Sequence, residues 1–175
     1  MSLGKQALII GGGGGIGSAV ARRLAADGFD LVVSCSHDVS RLDGLRKSVE
    51  DLGRSFHALE FRVEDRTAAA EALLGFFGDS APDAVIYNAG IARDNLFVFM
   101  SGEEWDSVIR TNLDGFYNSV QPLLMGMMAK RSGRIVVISS ASGQAGQAGQ
   151  VNYSASKAAL IGAVKALARE VGRKG

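Results

Sequence analysis

The sequence has few of the residues that build metal centres and disulfide frameworks. Its 175 residues include one cysteine, Cys35, and two histidines, His37 and His57. A single cysteine excludes a disulfide scaffold and a cysteine-based metal cluster, and two histidines leave little for a zinc site. We therefore predict that the protein holds no metal.

The sequence also lacks an excess of either charge and any long apolar run. It has 19 Lys and Arg against 18 Asp and Glu, a formal net charge of +1, which predicts no face for nucleic acid or an anionic membrane. No apolar run reaches the roughly 18 residues of a membrane helix, and residues 1–5 are too short and polar for a signal peptide. With 47% hydrophobic residues, the chain is expected to be a cytoplasmic globular protein with one domain over residues 1–175.

Glycine is abundant, with 23 residues against only two prolines, and five glycines stand together at residues 11–15. Residues 11–17, named here the glycine loop, follow a short apolar run and precede a helical pattern. The loop contains G-x-G-x-x-G and G-x-x-x-G-x-G, while the absence of a following Lys-Ser or Lys-Thr excludes a P-loop. In this context the loop predicts the binding of a dinucleotide, whose pyrophosphate approaches the backbone and the start of the helix.

Strand-like and helix-like patterns alternate along the chain. Strands are predicted at residues 7–10, 31–33, 56–63, 83–87 and 134–138, and helices at 16–27, 40–52, 65–77, 101–130 and 152–169. Asp65 is a candidate cap for the helix that reaches Phe77. Ser101 and Glu104 form a capping-box pattern at the start of the long helix, and Pro122 predicts a bend within it. This order predicts an α/β, doubly wound parallel sheet of the Rossmann type. Because no closing strands follow before Gly175, we expect its C-terminal strands to be missing.

The end of the second predicted strand bears on which nicotinamide cofactor binds. An acidic residue there would bind the ribose 2′-hydroxyl of NAD, but the position carries Ser36 and His37. Together with Arg41, these side chains suit the 2′-phosphate of NADP. Asp38 follows one residue later, and its carboxylate keeps NAD as an alternative cofactor. The pattern favours NADP (NADPH) over NAD.

Tyr153 and Lys157 stand four residues apart at the start of the last predicted helix, so both side chains lie on one face. An ammonium group close to a phenol makes the phenol more acidic, and such a phenol can act as a general acid toward a carbonyl oxygen. Ser139 and Ser140 follow the fifth predicted strand, and residues 88–90 follow the fourth. Ligands bind at these strand ends in doubly wound sheets.

These motifs resemble those of the short-chain dehydrogenase/reductase family, in family order and spacing from Lys5 to Gly175. The matching motifs are the glycine loop, Asn88-Ala89-Gly90, Asn112, Ser140 and Tyr153-x-x-x-Lys157. Within the family, residues 90–96, 103–105 and 159–162 are most similar to 3-oxoacyl-acyl-carrier-protein reductases.

The resemblance implies a role for each catalytic residue. Tyr153 protonates the substrate oxygen while the nicotinamide delivers hydride, and Ser140 hydrogen-bonds the same oxygen. Lys157 holds the nicotinamide ribose, and Asn112 kinks the long helix and fixes a water that passes protons to Lys157. The cofactor contacts that it implies are Gly11, Gly13, Gly14, Gly15, Ile16, Gly17, Ser36, His37, Val63, Asn88, Ala89, Gly90, Tyr153 and Lys157.

Several positions depart from the family pattern. Ile10 replaces a threonine, so a hydrogen bond toward the loop after the fourth predicted strand is expected to be lost. Gly14 stands where NADP-using reductases often carry a basic residue, and Tyr87 replaces the first asparagine of Asn-Asn-Ala-Gly. Arg62 replaces an aspartate near the adenine, where the backbone of Val63 remains available.

The resemblance implies NADPH-dependent reduction of a 3-oxoacyl thioester, carried by an acyl carrier protein, in a homotetramer. Three alternatives stay open: a short-chain dehydrogenase acting on another alcohol or ketone, a non-catalytic dinucleotide-binding module, and an inactive fragment. Family members continue into another strand, a substrate loop and a lid helix. We therefore expect this sequence to be part of a longer protein.

Overall fold

A computed structural model describes residues 4–174 of the protein. Residues 1–3 and Gly175, on which the predictions about the two ends of the chain rest, lie outside the described residues. The strands are β1 Gln6–Ile10, β2 Asp30–Cys35, β3 Phe56–Glu60, β4 Ala84–Tyr87 and β5 Arg134–Val137. The α-helices are α1 Gly15–Ala26, α2 Asp43–Glu50, α3 Arg66–Phe77, α4 Gly102–Ile109, α5 Gly115–Ala129, α6 Ser142–Ala145 and α7 Val151–Val171. A π-helical segment, Arg110–Asp114, joins α4 to α5.

The five strands form one parallel sheet in the order β3-β2-β1-β4-β5. The chain runs outward from β1 to β3 and then crosses back to place β4 on the other side of β1. At this reversal Ile10 pairs with Ser34 on one side and with Tyr87 on the other. The topology confirms the predicted doubly wound α/β sheet, whose ligand-binding edge lies at the carboxyl ends of β1 and β4.

Helices cover both faces of the sheet because alternate strand residues point to opposite sides. Leu8 and Ile10 belong to a core that includes α3, α5 and Leu160 of α7, while Ala7 and Ile9 belong to a second core with α1 and α2. The last four of the five β1 residues are fully buried. Full burial of a Leu or Ile side chain contributes about 1.5–3 kcal/mol. The continuous apolar run of β1 is thus explained by burial on both faces.

Local capping signals predicted two helix starts correctly. The Asp65 carboxylate accepts a hydrogen bond from the Ala68 N–H at 3.0 Å, which caps α3. The Ser101 hydroxyl accepts from the Glu104 N–H at 3.2 Å, and the Glu104 carboxylate accepts from the Ser101 N–H at 2.7 Å. This reciprocal pair is a capping box, and each such cap contributes about 1 kcal/mol.

The structure departs from the predicted elements in several places. β3 ends at Glu60 rather than residue 63, because the chain leaves the sheet there and turns into the α3 cap, where the Asp65 N–H donates to the Arg62 carbonyl. The helix predicted over 40–52 begins as a 3-10 turn at Val39–Leu42, and α2 ends at Glu50. The short helix α6 is an element that the sequence patterns did not predict.

The long helix predicted over residues 101–130 is interrupted, but not at Pro122. α5 continues through Pro122, whereas the irregular turn is the π-helical segment ten residues earlier. A π-turn inserts one extra residue into an α-helix and commonly marks a functional site. This position agrees with the kink that the family resemblance implies at Asn112.

Within residues 4–174, no helix combines the length and the apolar character that crossing a bilayer requires.

Candidate active site

Tyr153 and Lys157 lie on the first two turns of α7, beside the carboxyl end of β5. The Lys157 ammonium lies 5.6 Å from the centre of the Tyr153 ring and donates a hydrogen bond to the Ile138 carbonyl at 2.8 Å. Lys157 is only 4% exposed, and this burial lowers its pKa from the usual value of a lysine. The structure therefore places the two predicted side chains side by side.

Asn112 lies in the π-helical segment and is fully buried. Its side-chain oxygen accepts from the Ile91 N–H at 2.8 Å, and its amide donates to the Ile91 carbonyl at 3.0 Å. The amide also donates to the Ser156 hydroxyl at 2.9 Å. Asn112 thus joins the loop after β4 to the face of α7 between Tyr153 and Lys157.

Gly90 is the point where these groups converge. A Cβ atom at Gly90 would lie 3.2 Å from the side-chain oxygen of Asn112 and 3.4 Å from the Lys157 ammonium. Asn112 and Lys157 are 45 residues apart in the sequence. Their side chains nevertheless face the same turn of backbone after β4. A side chain at position 90 would crowd both, which accounts for glycine there.

Ser140 lies after β5, at the entry to α6. Its hydroxyl oxygen accepts from the Ser142 N–H at 3.2 Å. The Ser142 hydroxyl in turn donates to the Gln150 side-chain oxygen at 3.0 Å, and the Gln150 amide donates to the Asp94 carboxylate at 2.8 Å. A chain of hydrogen bonds therefore connects the Ser140 turn, the residue before α7 and the loop after β4.

Asn152 is a site residue that the sequence reading missed. It is fully buried, and its amide donates to the Arg93 carbonyl at 3.0 Å and to the Glu104 carbonyl at 3.2 Å. Its oxygen accepts from the Tyr153 N–H at 2.7 Å. Asn152 thereby ties the start of α7 to α4 and to the loop after β4. The available signal was an asparagine in the first turn of a helix, directly before Tyr153.

The glycine loop uses its glycines for two different purposes. A Cβ atom at Gly17 would lie 2.5 Å from the Gly11 carbonyl oxygen, and one at Gly12 would clash with Val33. Gly11 itself has a φ of +77°, which side-chain-bearing residues rarely adopt. At Gly14 and Gly15, by contrast, a Cβ would meet nothing within 4 Å. Gly11, Gly12 and Gly17 therefore allow close packing of the loop against its surroundings. Gly14 and Gly15 leave the surface of the loop free of side chains.

The start of α1 is suited to an anion. The helix begins at Gly15 without a side-chain cap and without an acidic residue in its first turn. Free N–H groups at a helix N-terminus and the helix dipole favour a phosphate. The open glycines next to it leave space for a pyrophosphate to approach the backbone, so the loop fits a dinucleotide.

Asn88 connects the glycine loop to β4. Its amide donates to the Gly11 carbonyl at 2.8 Å, and the Gly11 N–H donates to the Ser34 hydroxyl at 3.2 Å. The apolar Ile10 side chain cannot make the hydrogen bond of the threonine that it replaces. These two bonds hold the loop between β2 and β4 instead.

A cleft of about 230 Å³ continues from the glycine loop to the end of β2. Ser36, His37 and Arg41 line it with Gly11, Gly13, Gly14, Cys35 and Leu42. Asp38 is not among the lining residues, and its carboxylate accepts hydrogen bonds from the backbone N–H and the hydroxyl of Ser40. The predicted polar residues at this end of the site therefore gather around one cleft.

Val63 is placed differently from the other predicted cofactor residues. Its side chain is buried in the core that includes α3 and α5. Its carbonyl accepts a hydrogen bond from the buried Asn118 amide at 2.9 Å. A backbone contact between Val63 and the adenine stays a prediction.

Comparison with known proteins gives consistent results. A profile of the family described as short chain dehydrogenase matches residues 5–175. The 3-oxoacyl-[acyl-carrier-protein] reductase FabG of Aggregatibacter actinomycetemcomitans is 47% identical over 95% of this chain and 70% of its own length. The acetoacetyl-CoA reductase of Cupriavidus necator is 42% identical over 97% of this chain and 69% of its own, and the FabG of Escherichia coli (strain K12) is 39% identical over 98% and 69%. The chain belongs to the short-chain dehydrogenase family of NAD(P)-dependent oxidoreductases.

Proposed function

We propose that the protein reduces a 3-oxoacyl thioester, carried by an acyl carrier protein, to the 3-hydroxyacyl thioester with NADPH. The approach of the Lys157 ammonium to the Tyr153 ring, together with the convergence of Lys157 and Asn112 at Gly90, carries this proposal, because these groups form the proton donor that carbonyl reduction needs. The 47% identity to a 3-oxoacyl-[acyl-carrier-protein] reductase supports the choice of substrate.

Tyr153 and Ser140 act on the substrate oxygen in this proposal. A bound nicotinamide supplies hydride to the carbonyl carbon. The Tyr153 hydroxyl gives its proton to the carbonyl oxygen, and the Ser140 hydroxyl donates a hydrogen bond to the same atom. A hydroxyl has one hydrogen to donate, and the Ser140 bond to the Ser142 N–H uses only an acceptor position. The Ser140 hydrogen is therefore left for the substrate.

Lys157 has the donors to hold a ribose. An ammonium group carries three N–H bonds, of which the Ile138 carbonyl takes one. The others are available to the hydroxyls of the nicotinamide ribose. The Asn112 oxygen accepts one hydrogen bond from Ile91 and keeps a second lone pair for a water that returns protons to Lys157.

The cleft at the end of β2 supports NADPH over NADH. A 2′-phosphate would meet the Arg41 guanidinium and the polar tips of Ser36 and His37, which line that cleft. The carboxylate that would instead favour NADH belongs to Asp38, and it is held by Ser40 in the turn that follows.

The acetoacetyl-CoA reductase similarity supports a second candidate, the same reduction on a coenzyme A thioester. The same side chains would perform both reactions, and only the carrier differs. The remaining enzymatic alternative is a short-chain dehydrogenase that reduces another ketone or oxidises another alcohol.

The exposed apolar side chains support assembly of several copies, and we propose the homotetramer typical of the family. Leu96, Phe97, Val98 and Phe99 are 57–80% exposed in one loop, and Met125 on α5 is 75% exposed. Exposed apolar patches of this kind commonly mark protein contacts. Light scattering on the purified protein measures the number of copies directly.

The test is a comparison of three substrates at equal NADPH. Oxidation of NADPH is followed with acetoacetyl-acyl carrier protein, acetoacetyl-CoA and a small cyclic ketone. We expect the highest kcat/KM with the carrier-protein thioester. A preference for coenzyme A would select the second candidate, and turnover of the small ketone alone would contradict both. Tight NADPH binding without any turnover would favour a binding module.

A further inference from the structure

Tyr87, the last residue of β4, is fully buried. Its ring packs edge-on against Phe116 of α5, with the ring centres 5.7 Å apart. Burial, together with the nearby Glu64 and Asp114 carboxylates, raises the pKa of the Tyr87 hydroxyl. The hydroxyl therefore keeps its proton and is a hydrogen-bond donor in an apolar environment.

The Tyr87 hydroxyl donates this hydrogen bond to the Thr111 carbonyl, with an oxygen–oxygen distance of 2.6 Å. Thr111 lies inside the π-helical segment, directly before Asn112. A π-turn departs from the regular i→i+4 pattern of backbone hydrogen bonds, so its carbonyls profit from partners outside the helix. Tyr87 supplies such a partner from the neighbouring strand.

Gly115 makes room for this hydroxyl. A Cβ atom at Gly115 would lie 2.5 Å from the Tyr87 hydroxyl oxygen and 2.7 Å from a methyl group of Val63. Gly115 is buried at the start of α5, the first residue after the π-helical segment. The large Tyr87 side chain on β4 therefore occupies the space that a side chain at Gly115 on α5 would need.

We propose that the Tyr87 hydroxyl is a positioning group that holds the π-helical segment, and with it the Asn112 side chain, against the loop after β4. The inference rests on the proposed function, in which Asn112 serves the proton path to Lys157. Tyr87 touches neither substrate nor cofactor in this arrangement. It acts through Thr111 on the residue that follows.

The variant Tyr87→Phe removes the hydroxyl and keeps the ring. With the Thr111 carbonyl left without this donor, we expect kcat for thioester reduction to fall about tenfold. The KM for NADPH should change less than about twofold, since the glycine loop is untouched. Tyr117→Phe is the matched control, because it removes the same group from a half-exposed tyrosine of α5 and should leave kcat unchanged.

A double-mutant cycle with Asn112→Ala separates positioning from general stability. If Tyr87 acts through Asn112, Tyr87→Phe should lower kcat less than about twofold once Asn112 has been removed. An equal loss in both backgrounds would overturn the inference, because it would mean that the hydroxyl acts independently of Asn112.

Amide hydrogen exchange tests the same inference without activity. The Ile91 N–H donates to Asn112, so its exchange should become about tenfold faster in Tyr87→Phe, while the β1 amides stay protected. Unchanged Ile91 protection would overturn the inference. If the wild-type protein reduces no thioester, the proposed function fails and this measurement still decides the role of Tyr87.

Gly115→Ala keeps the tyrosine and places a methyl group against its hydroxyl. We expect faster Ile91 exchange in this variant also, and a smaller additional effect when Tyr87→Phe is already present. Equal effects of Gly115→Ala in the two backgrounds would assign the effect of the new methyl group to Val63, which it would also approach, rather than to the Tyr87 hydroxyl.

Discussion

The two halves of the candidate site, one around Asn112 and Lys157 and the other along the glycine loop, differ in where their polar groups come from. Around Asn112 and Lys157, the polar side chains are buried, and hydrogen bonds within the protein hold them in place. Along the glycine loop, residues 13–16 are exposed, and the polar groups offered to a ligand are backbone N–H groups at the start of α1. In the first half, side chains supply the polar groups. In the second half, the lack of side chains exposes the backbone N–H groups.

This difference predicts different sensitivities to mutation. In the proposed function, buried polar groups fix the geometry of proton transfer before substrate binds, so the loss of one of them should change the rate more than the affinity. The glycine loop is expected to bind the dinucleotide through its backbone, so a substitution that adds a side chain to the loop should disturb its packing or its binding of the dinucleotide. The four predictions below test this contrast, beginning with the largest expected effect.

Tyr153→Phe should lower the rate of carbonyl reduction on the order of 10³-fold, because the general acid is lost. NADPH affinity, measured by nucleotide fluorescence, should stay within about twofold. Unchanged affinity would show that the variant loses the chemical step and still binds NADPH. Turnover equal to the wild type would contradict the role given to Tyr153.

Gly17→Ala should lower the free energy of unfolding by about 2 kcal/mol, since the new methyl group would press on the Gly11 carbonyl. Alanine usually stabilises a helix relative to glycine, so the sign is diagnostic. Gly14→Ala is the control, because a Cβ there meets nothing within 4 Å. Urea denaturation measures both, and equal effects would show that packing does not distinguish the two positions.

Arg41→Ala should raise the KM for NADPH about tenfold and leave the KM for NADH nearly unchanged, because only NADPH carries the 2′-phosphate. Arg22→Ala, on the exposed side of α1, controls for the loss of one positive charge. Steady-state kinetics with both cofactors provides the comparison. A parallel rise in both KM values would place Arg41 away from the 2′-phosphate.

The smallest expected effect concerns stability. Lys157→Met should change how the free energy of unfolding depends on pH. Because burial lowers the pKa of Lys157 in the folded protein, the unfolded chain binds the proton more tightly. Wild-type stability relative to Lys157→Met should therefore rise with pH from the lowered pKa up to about 10.5. Denaturation at several pH values tests this, with the exposed Lys165→Met as control. A constant difference would contradict the burial penalty.

Much of the fold could be predicted because its signals are local. The apolar run of β1 and the caps at Asp65 and Ser101 each depend on neighbours within a few residues. The positions of Tyr153 and Lys157 on one helical face follow from their spacing alone. Such features predicted the order of the strands and helices, and the family resemblance indicated the same motifs.

Other features depend on contacts that no local pattern contains. Asn112 bonds to Ile91, 21 residues away, and to Ser156, 44 residues away, while Asn88 bonds to Gly11 across 77 residues. The π-turn at Asn112 is stabilised by such contacts, so no local pattern marked its position.

By itself, the sequence determined the doubly wound order, the bare glycine loop and the pairing of a tyrosine with a lysine, because helix and strand periodicity is a property of short segments. Only the tertiary structure decided that Asn112 and Lys157 meet at Gly90, that Asn152 ties α7 to α4 and that the Tyr87 hydroxyl fits beside Gly115. These contacts are made between distant segments, and their geometry depends on how the whole sheet and its helices pack.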